Sequence, residues 1–190
     1  MLRDISLHIH DLARNSIEAG ATEIQIAVRV ASDGYLYVKI EDNGGGMAPD
    51  MVARVTDPYT TGRTTRTVGL GIPFFQMACN LAGGRMSVRT AMGEGNEICG
   101  SFQVKHIDRL PLGNLGETMQ LLLMEKRACR YILTLSSSLG EAIVDSNQIQ
   151  AVGQGRSLEE IRTFQWIKEL VEAHTLQIFG GVLDEIIGRA

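Results

Sequence analysis

Apolar and polar positions alternate between Thr22 and Val30, placing Ile24, Ile26, Val28 and Val30 on one side. That period of two predicts a half-buried strand. Asp33-Gly34 follows, a pair that favours a tight hairpin turn. Leu36, Val38 and Ile40 then alternate through a return strand from Tyr35 to Glu41. Upstream, Ile9, Leu12, Ala13 and Ile17 recur at helical spacing, predicting a helix over Ser6–Ala19 with Gly20 closing it. Downstream, Ile72–Leu81 reads as a buried helix stopped by Gly83-Gly84. Arg85–Thr90 and Glu97–His106 read as strands joined by Met92-Gly93-Glu94-Gly95. After Pro111 the pattern predicts a helix over Leu115–Lys126 and strands at Arg130–Ser137 and Glu141–Asp145. Ser157-Leu158-Glu159-Glu160 has the form of a capping box. It opens a helix to about His174, with one more short helix expected in Thr175–Ala190. Ile161, Phe164, Ile167, Leu170 and Val171 form that helix's core stripe; Trp166 lies off it and is expected to be partly buried.

Two stretches break the pattern. Thr56–Val68 is rich in Thr and Arg and nearly free of apolar residues, which predicts a long mobile loop. Glycine is also abundant, 21 of 190 residues, and gathers at Asp42–Gly46, Gly69–Gly71 and Gly93–Gly95. The remaining composition is that of an ordinary globular chain, 44% hydrophobic and 21% charged. A net charge of −4 argues against generic nucleic-acid binding. There is no apolar run long enough to span a membrane, and nothing at Met1-Leu2-Arg3-Asp4 resembles a signal peptide, so a cytoplasmic location is expected. Cys79, Cys99 and Cys129 lack metal or disulfide spacing and read as small buried thiols.

The polar residues on the first helix suggest chemistry. Asp11, Asn15 and Glu18 share one face, with His8 at its edge. Such oxygen donors suit a hard cation like Mg²⁺, although a plain solvated face has the same appearance. His8 and His10 read as ordinary polar helix residues. Asp42-x-Gly44-x-Gly46 directly follows a strand. There a carboxylate can accept a hydrogen bond from an amine, beside backbone free of side chains; a simple turn is the competing reading. Gly69-x-Gly71 opens a helix, where free amides attract phosphate. No Walker loop or dinucleotide fingerprint occurs.

In this order, the parts resemble the GHKL ATPase superfamily. That group includes histidine kinases, anti-sigma serine kinases, mismatch-repair ATPases, type II topoisomerases and a heat-shock chaperone. Asp11–Thr22 resembles its asparagine box and Glu41–Met47 its first glycine box. Asp57–Arg63 resembles the start of a kinase-type ATP lid, and Val68–Pro73 its closing glycine box. Gly95-Asn96 stands where many members have Gly-Thr. The likeness covers about residues 5–106 and implies a two-layer α/β sandwich, a mixed sheet with helices on one face. It also implies ATP and Mg²⁺ as ligands. By resemblance Asn15 ligates the metal, Asp42 binds the adenine amine, Gly44 and Gly46 admit the base, and Met47 lines its pocket. Thr60, Thr61, Gly69, Leu70 and Gly71 hold the phosphates, and Asn96 lies beside the nucleotide.

Asp11 is the catalytic base on this reading, but hydrolytic members carry the longer Glu there. Two readings therefore stand. The first is γ-phosphoryl transfer to a protein partner, or slow hydrolysis. The second is a non-catalytic sensor whose ATP-ordered lid regulates partner binding. The expected organisation is an ATP-binding domain over 1–110 and an α/β extension over 111–190, packed on or extending the same sheet. A protein partner is expected, with no nucleic acid and no membrane; a second copy of the chain is one candidate.

Overall fold

The computed structural model describes residues 2–48, 51–52, 71–125, 129–152 and 161–186. Helix α1 (Ile5–Glu18) precedes a hairpin of β1 (Glu23–Val30) and β2 (Tyr35–Asp42). Helix α2 (Gly71–Leu81) leads into a second hairpin, β3 (Met86–Ala91) and β4 (Gly95–Gln103). Then come α3 (Leu115–Leu123), β5 (Arg130–Ser137), β6 (Gly140–Asp145), α4 (Ser146–Val152) and α5 (Ile161–Ile186).

The strands form one mixed sheet in the order β3-β4-β2-β1-β5-β6. Only the β1–β5 pair is parallel; the other neighbours are antiparallel. Strand alternation decides what is covered. Ile24, Ile26 and Val28 of β1, Leu36, Val38 and Ile40 of β2, and Tyr131, Leu133 and Leu135 of β5 are buried, while Gln25 and Arg29 between them are exposed. Helix α1 packs on β1 and β2, α2 on β3 and β4, and α5 on β5 and β6. Helix α3 joins α1 to α5. Each fully buried Ile, Leu or Phe in such a layer contributes about 1.5–3 kcal/mol.

Residues beyond Pro111 are woven into this layer. Ile5 and Ser6 donate their amides to the carbonyls of Pro111 (2.9 Å) and Leu112 (2.8 Å). Thr118 on α3 donates to the Ser6 carbonyl at 3.1 Å. Asp4 caps α1 by accepting the Leu7 amide at 2.9 Å. The Arg130 guanidinium reaches Glu23 on β1 at 3.0 Å and Asp145 on β6 at 2.7 and 3.2 Å, joining three strands.

Several boundaries differ from expectation. Strand β4 stops at Gln103 rather than His106. Beyond it, buried Arg109 folds back to donate to the carbonyls of Val104 and Leu110, both at 2.7 Å. The last helix does not end at His174. It runs on through Phe179, and within it Thr175 satisfies its hydroxyl on the Val171 carbonyl at 2.7 Å. Gly180 (φ +21°, ψ −112°) is not helical, and beyond it a short second helical segment, as expected for the tail, reaches Ile186. The stripe residues Phe164, Ile167 and Val171 are buried, whereas Trp166 is 45% exposed. The capping box at Ser157–Glu160 lies outside the described residues. Cys79 is buried, which pushes its thiol up to about 12, while Cys99 and Cys129 are half-buried.

Candidate functional site: a carboxylate row between the sheet and α1

Antiparallel register assembles the centre of the site. Asp42, the last residue of β2, lies opposite Asn96 on β4, and Asn96 lies opposite Thr90 on β3. All three stand in one row on the helix-covered face. The Asp42 carboxylate is 6% exposed. It accepts from the Ser16 hydroxyl at 2.6 Å and from the Gly44 amide at 2.9 Å. The Asn96 side-chain amide donates to both its oxygens, at 3.2 and 3.1 Å. Thr90 Oγ1 sits 2.7 Å from Asn96 Oδ1 and accepts the Met47 amide at 2.7 Å. Strand β2, α1 and the β3–β4 hairpin thus converge on one carboxylate, and no Lys, Arg or His pairs with it among the described residues.

The glycine loop is held against the same hairpin. Gly93 donates to Gly45 at 2.9 Å, and Gly45 donates to Ala19 at 3.1 Å. Gly46 has φ +68°, and a Cβ there would collide with the Ala91 carbonyl. A Cβ on Gly44 would lie 3.0 Å from Asp42 Oδ1 and 3.3 Å from the Ala19 carbonyl. The space freed by these two glycines is therefore filled by the protein's own backbone and carboxylate, not left open beside them. Met47 is half-buried against the core.

A second group forms where α1 meets α2. Gly71 begins α2 so close to α1 that a Cβ would collide with Asp11 Oδ2 and lie 3.2 Å from Asn15 Nδ2. Asp11 and Asn15 are half-buried, and neither side chain makes a hydrogen bond or ion pair among the described residues. Two oxygen-bearing side chains without partners among the described residues, next to the first turn of a helix, fit a hydrated cation carrying phosphate. Glu18 does not join them: it is exposed and pairs with Arg14 at 3.2 Å. His8 also departs from expectation. It is fully buried, tilted against Phe75 with ring centroids 5.8 Å apart, and neither ring nitrogen has a partner. Burial pushes its imidazole below the usual range, partly opposed by Asp11 and Asp4.

The structure thus brings Asp42, Gly44, Gly46, Met47 and Asn96 into one cluster, and Asp11, Asn15 and Gly71 into another. Thr60, Thr61, Gly69 and Leu70 lie outside the described residues. Sequence reasoning missed Ser16 and Thr90. Ser16 follows Asn15 directly, but its role requires the fold to carry α1 across β2. Thr90 becomes visible only through strand register.

The family model for the histidine kinase-, DNA gyrase B- and HSP90-like ATPases matches residues 3–106, more than half the chain. The chain belongs to this ATPase family. The matched stretch is ATPase-like and ATP-binding, and the mixed sheet with covering helices is the family's fold. Among curated relatives, the DNA mismatch repair protein MutL of Fervidobacterium nodosum is 36% identical over 55 residues, 29% of this chain and 9% of that protein. The alginate biosynthesis sensor protein KinB of Pseudomonas aeruginosa is 32% identical over 88 residues, 46% of this chain and 14% of that protein. The chain therefore spans a small part of the length of both. A crystal structure of the N-terminal domain of a DNA repair protein superposes with a TM-score of 0.52 at 15% identity, covering 80% of this chain and 57% of the other. No helix among the described residues is long and apolar enough to cross a membrane.

Proposed function

We propose that the chain binds Mg²⁺-ATP and transfers the γ-phosphoryl group to a protein partner or hydrolyses ATP slowly. The observation that carries this reading is the Asp42 carboxylate, buried at a strand end and held, among the described residues, by neutral donors. A buried carboxylate is costly unless hydrogen-bonded, and its acceptor oxygens suit it to take a hydrogen bond from the base's amine. Asn15 would offer its amide oxygen to the metal, and the amides at the start of α2 would face the phosphates. Bound Mg²⁺ would supply charge neutralisation along the phosphate chain. Asp11 would orient or deprotonate the attacking group.

A specific observation favours the sensor reading as the second choice. Asp11 packs against the Gly71 backbone, and its side chain is one methylene shorter than the Glu of hydrolytic members, so its reach toward an acceptor is limited. Calorimetry with ATP and ADP, with and without Mg²⁺, tests the first step. Metal-dependent ATP binding that Asp42→Asn weakens by about 100-fold, worth about 2.7 kcal/mol, is expected. A wild-type chain that binds neither nucleotide would overturn the proposal. Turnover above background that Asp11→Asn abolishes separates catalysis from sensing.

A further inference from the structure

A carboxylate has about four lone-pair positions in its plane. At Asp42 four contacts already fill them: Ser16 Oγ and Asn96 Nδ2 on Oδ2, and the Gly44 amide and Asn96 Nδ2 on Oδ1. Ser16 comes from α1, and Gly44 is two residues along the chain, so both are fixed by the fold. Asn96 is different. Its amide straddles the two oxygens at 3.1 and 3.2 Å, long for a charge-assisted bond and shared between two acceptors. Its orientation is fixed from behind. Thr90 Oγ1 lies 2.7 Å from Asn96 Oδ1 and 3.1 Å from the Gly95 carbonyl, so its one proton is shared between them; with the acceptor-only carboxylate on the other side, the Nδ2 end faces Asp42. Thr90 is in turn tied to the glycine loop through the Met47 amide at 2.7 Å.

We infer that Asn96 is a built-in stand-in for the base's amine: it occupies the acceptor positions of Asp42 and must yield them before an adenine amine can be read. The inference rests on the nucleotide reading of Asp42 and adds to it a residue that sets affinity and base preference. Asn96 acts through Asp42, so it is a positioning residue. An arriving amine replaces the Asn96 donor rather than filling an empty position, so part of its gain is cancelled. The wild-type chain then discriminates poorly between a purine with and without a 6-amino group. A shorter side chain at this position releases the carboxylate and restores discrimination. The Thr90–Met47 link carries the exchange to the glycine loop, so Thr90→Val, which frees Asn96 to turn, moves preference the same way by a smaller factor.

The test is calorimetric titration of the full chain with Mg²⁺-ATP and with the Mg²⁺ triphosphate of purine riboside, which lacks the 6-amino group. Wild type, Asn96→Ser, Asn96→Thr and Asp42→Asn are compared, each with a thermal melt to establish folding. In wild type the two ligands should differ by less than about 5-fold. In Asn96→Ser the preference for ATP should grow about tenfold, with Asn96→Thr following it if the Ser variant fails to fold. A purely structural role for Asn96 would shift both ligands together and leave the ratio unchanged. An unchanged ratio in a folded Asn96 variant, with Asp42→Asn still losing ATP, overturns the inference and leaves the nucleotide site standing. Absence of binding by wild type and by both folded Asn96 variants removes the inference and the nucleotide reading together. Binding that appears only when Asn96 is shortened supports both.

Discussion

Asp42 and Asp145 are two buried carboxylates with the same local geometry and opposite electrostatics. Each is the last residue of its strand, and they are 6% and 5% exposed. Each accepts the amide two residues on, from Gly44 and Asn147, both at 2.9 Å. Beyond that they diverge. Asp145 receives the Arg130 guanidinium through two bonds, and this pairing holds its carboxyl below the usual range. Asp42 receives a hydroxyl, a backbone amide and a side-chain amide, all neutral. A fork-on-fork ion pair is a closed structure, since charge and geometry are both satisfied. A carboxylate held by neutral donors keeps its field, and its donors can be exchanged. The contrast separates a carboxylate that joins strands from one that can read a ligand.

The strongest way to break this comparison is to remove the half that contains Asp145. A chain ending at Leu110 strips β1 of its parallel partner β5 and α1 of α3. Loss of cooperative melting and of nucleotide binding is expected, followed by circular dichroism and calorimetry. A 1–110 fragment that melts cooperatively and binds ATP like the full chain would make the halves independent. Next in size are the exchanged substitutions. Asp42→Asn should cost about 100-fold in ATP affinity with little change in melting. Asp145→Asn should leave ATP affinity unchanged and lower stability by about 1–2 kcal/mol. The latter figure is modest because Arg130 is itself 38% exposed and water screens the pair. Equal effects of both substitutions on binding would erase the distinction. Acid sharpens it further. The native carboxyl of Asp145 is depressed below its unfolded value of 3.8. Its stabilisation is therefore complete above that pH and is lost as pH falls through the lower native value. Arg130→Met should flatten this acid limb in urea titrations taken between about pH 4 and 2.

Much of this was legible in the chain itself. Alternation at Ile24–Val30 and Leu36–Ile40 gave β1 and β2 because each strand buries one face only. The Asp42 and Asn15 positions were visible because glycine spacing and helical spacing are local signals. What escaped was set by partners distant in sequence. Ser16 meets Asp42 across 26 positions, and Arg130 meets Glu23 across 107. The extent of α5 escaped because no breaker stands at Thr175, and the hydroxyl there bonds back to its own helix.

His8 gives the smallest effect at neutral pH and the finest test of how α1 is buried. A polar reading of this residue places it in water, where protonation costs the fold nothing. The structure instead packs it against Phe75 with both nitrogens unpartnered, so the charged form is disfavoured in the native state. Its native value lies below 6.5, and that of His10 is lowered as well, chiefly by burial. The unfolded chain therefore binds protons first as pH drops. Stability is complete above about pH 6.5 and declines below it, with a slope of at most about 1.4 kcal/mol per pH unit per histidine. His8→Leu keeps the apolar contact with Phe75 and removes one of the two protons. Urea midpoints measured from pH 7.5 to 5 should fall less steeply in this variant than in wild type, and His8→Leu/His10→Gln should be nearly flat. An identical slope in wild type and His8→Leu would mean that His8 takes up its proton in the native state, which would require α1 and α2 to part and let water reach the imidazole.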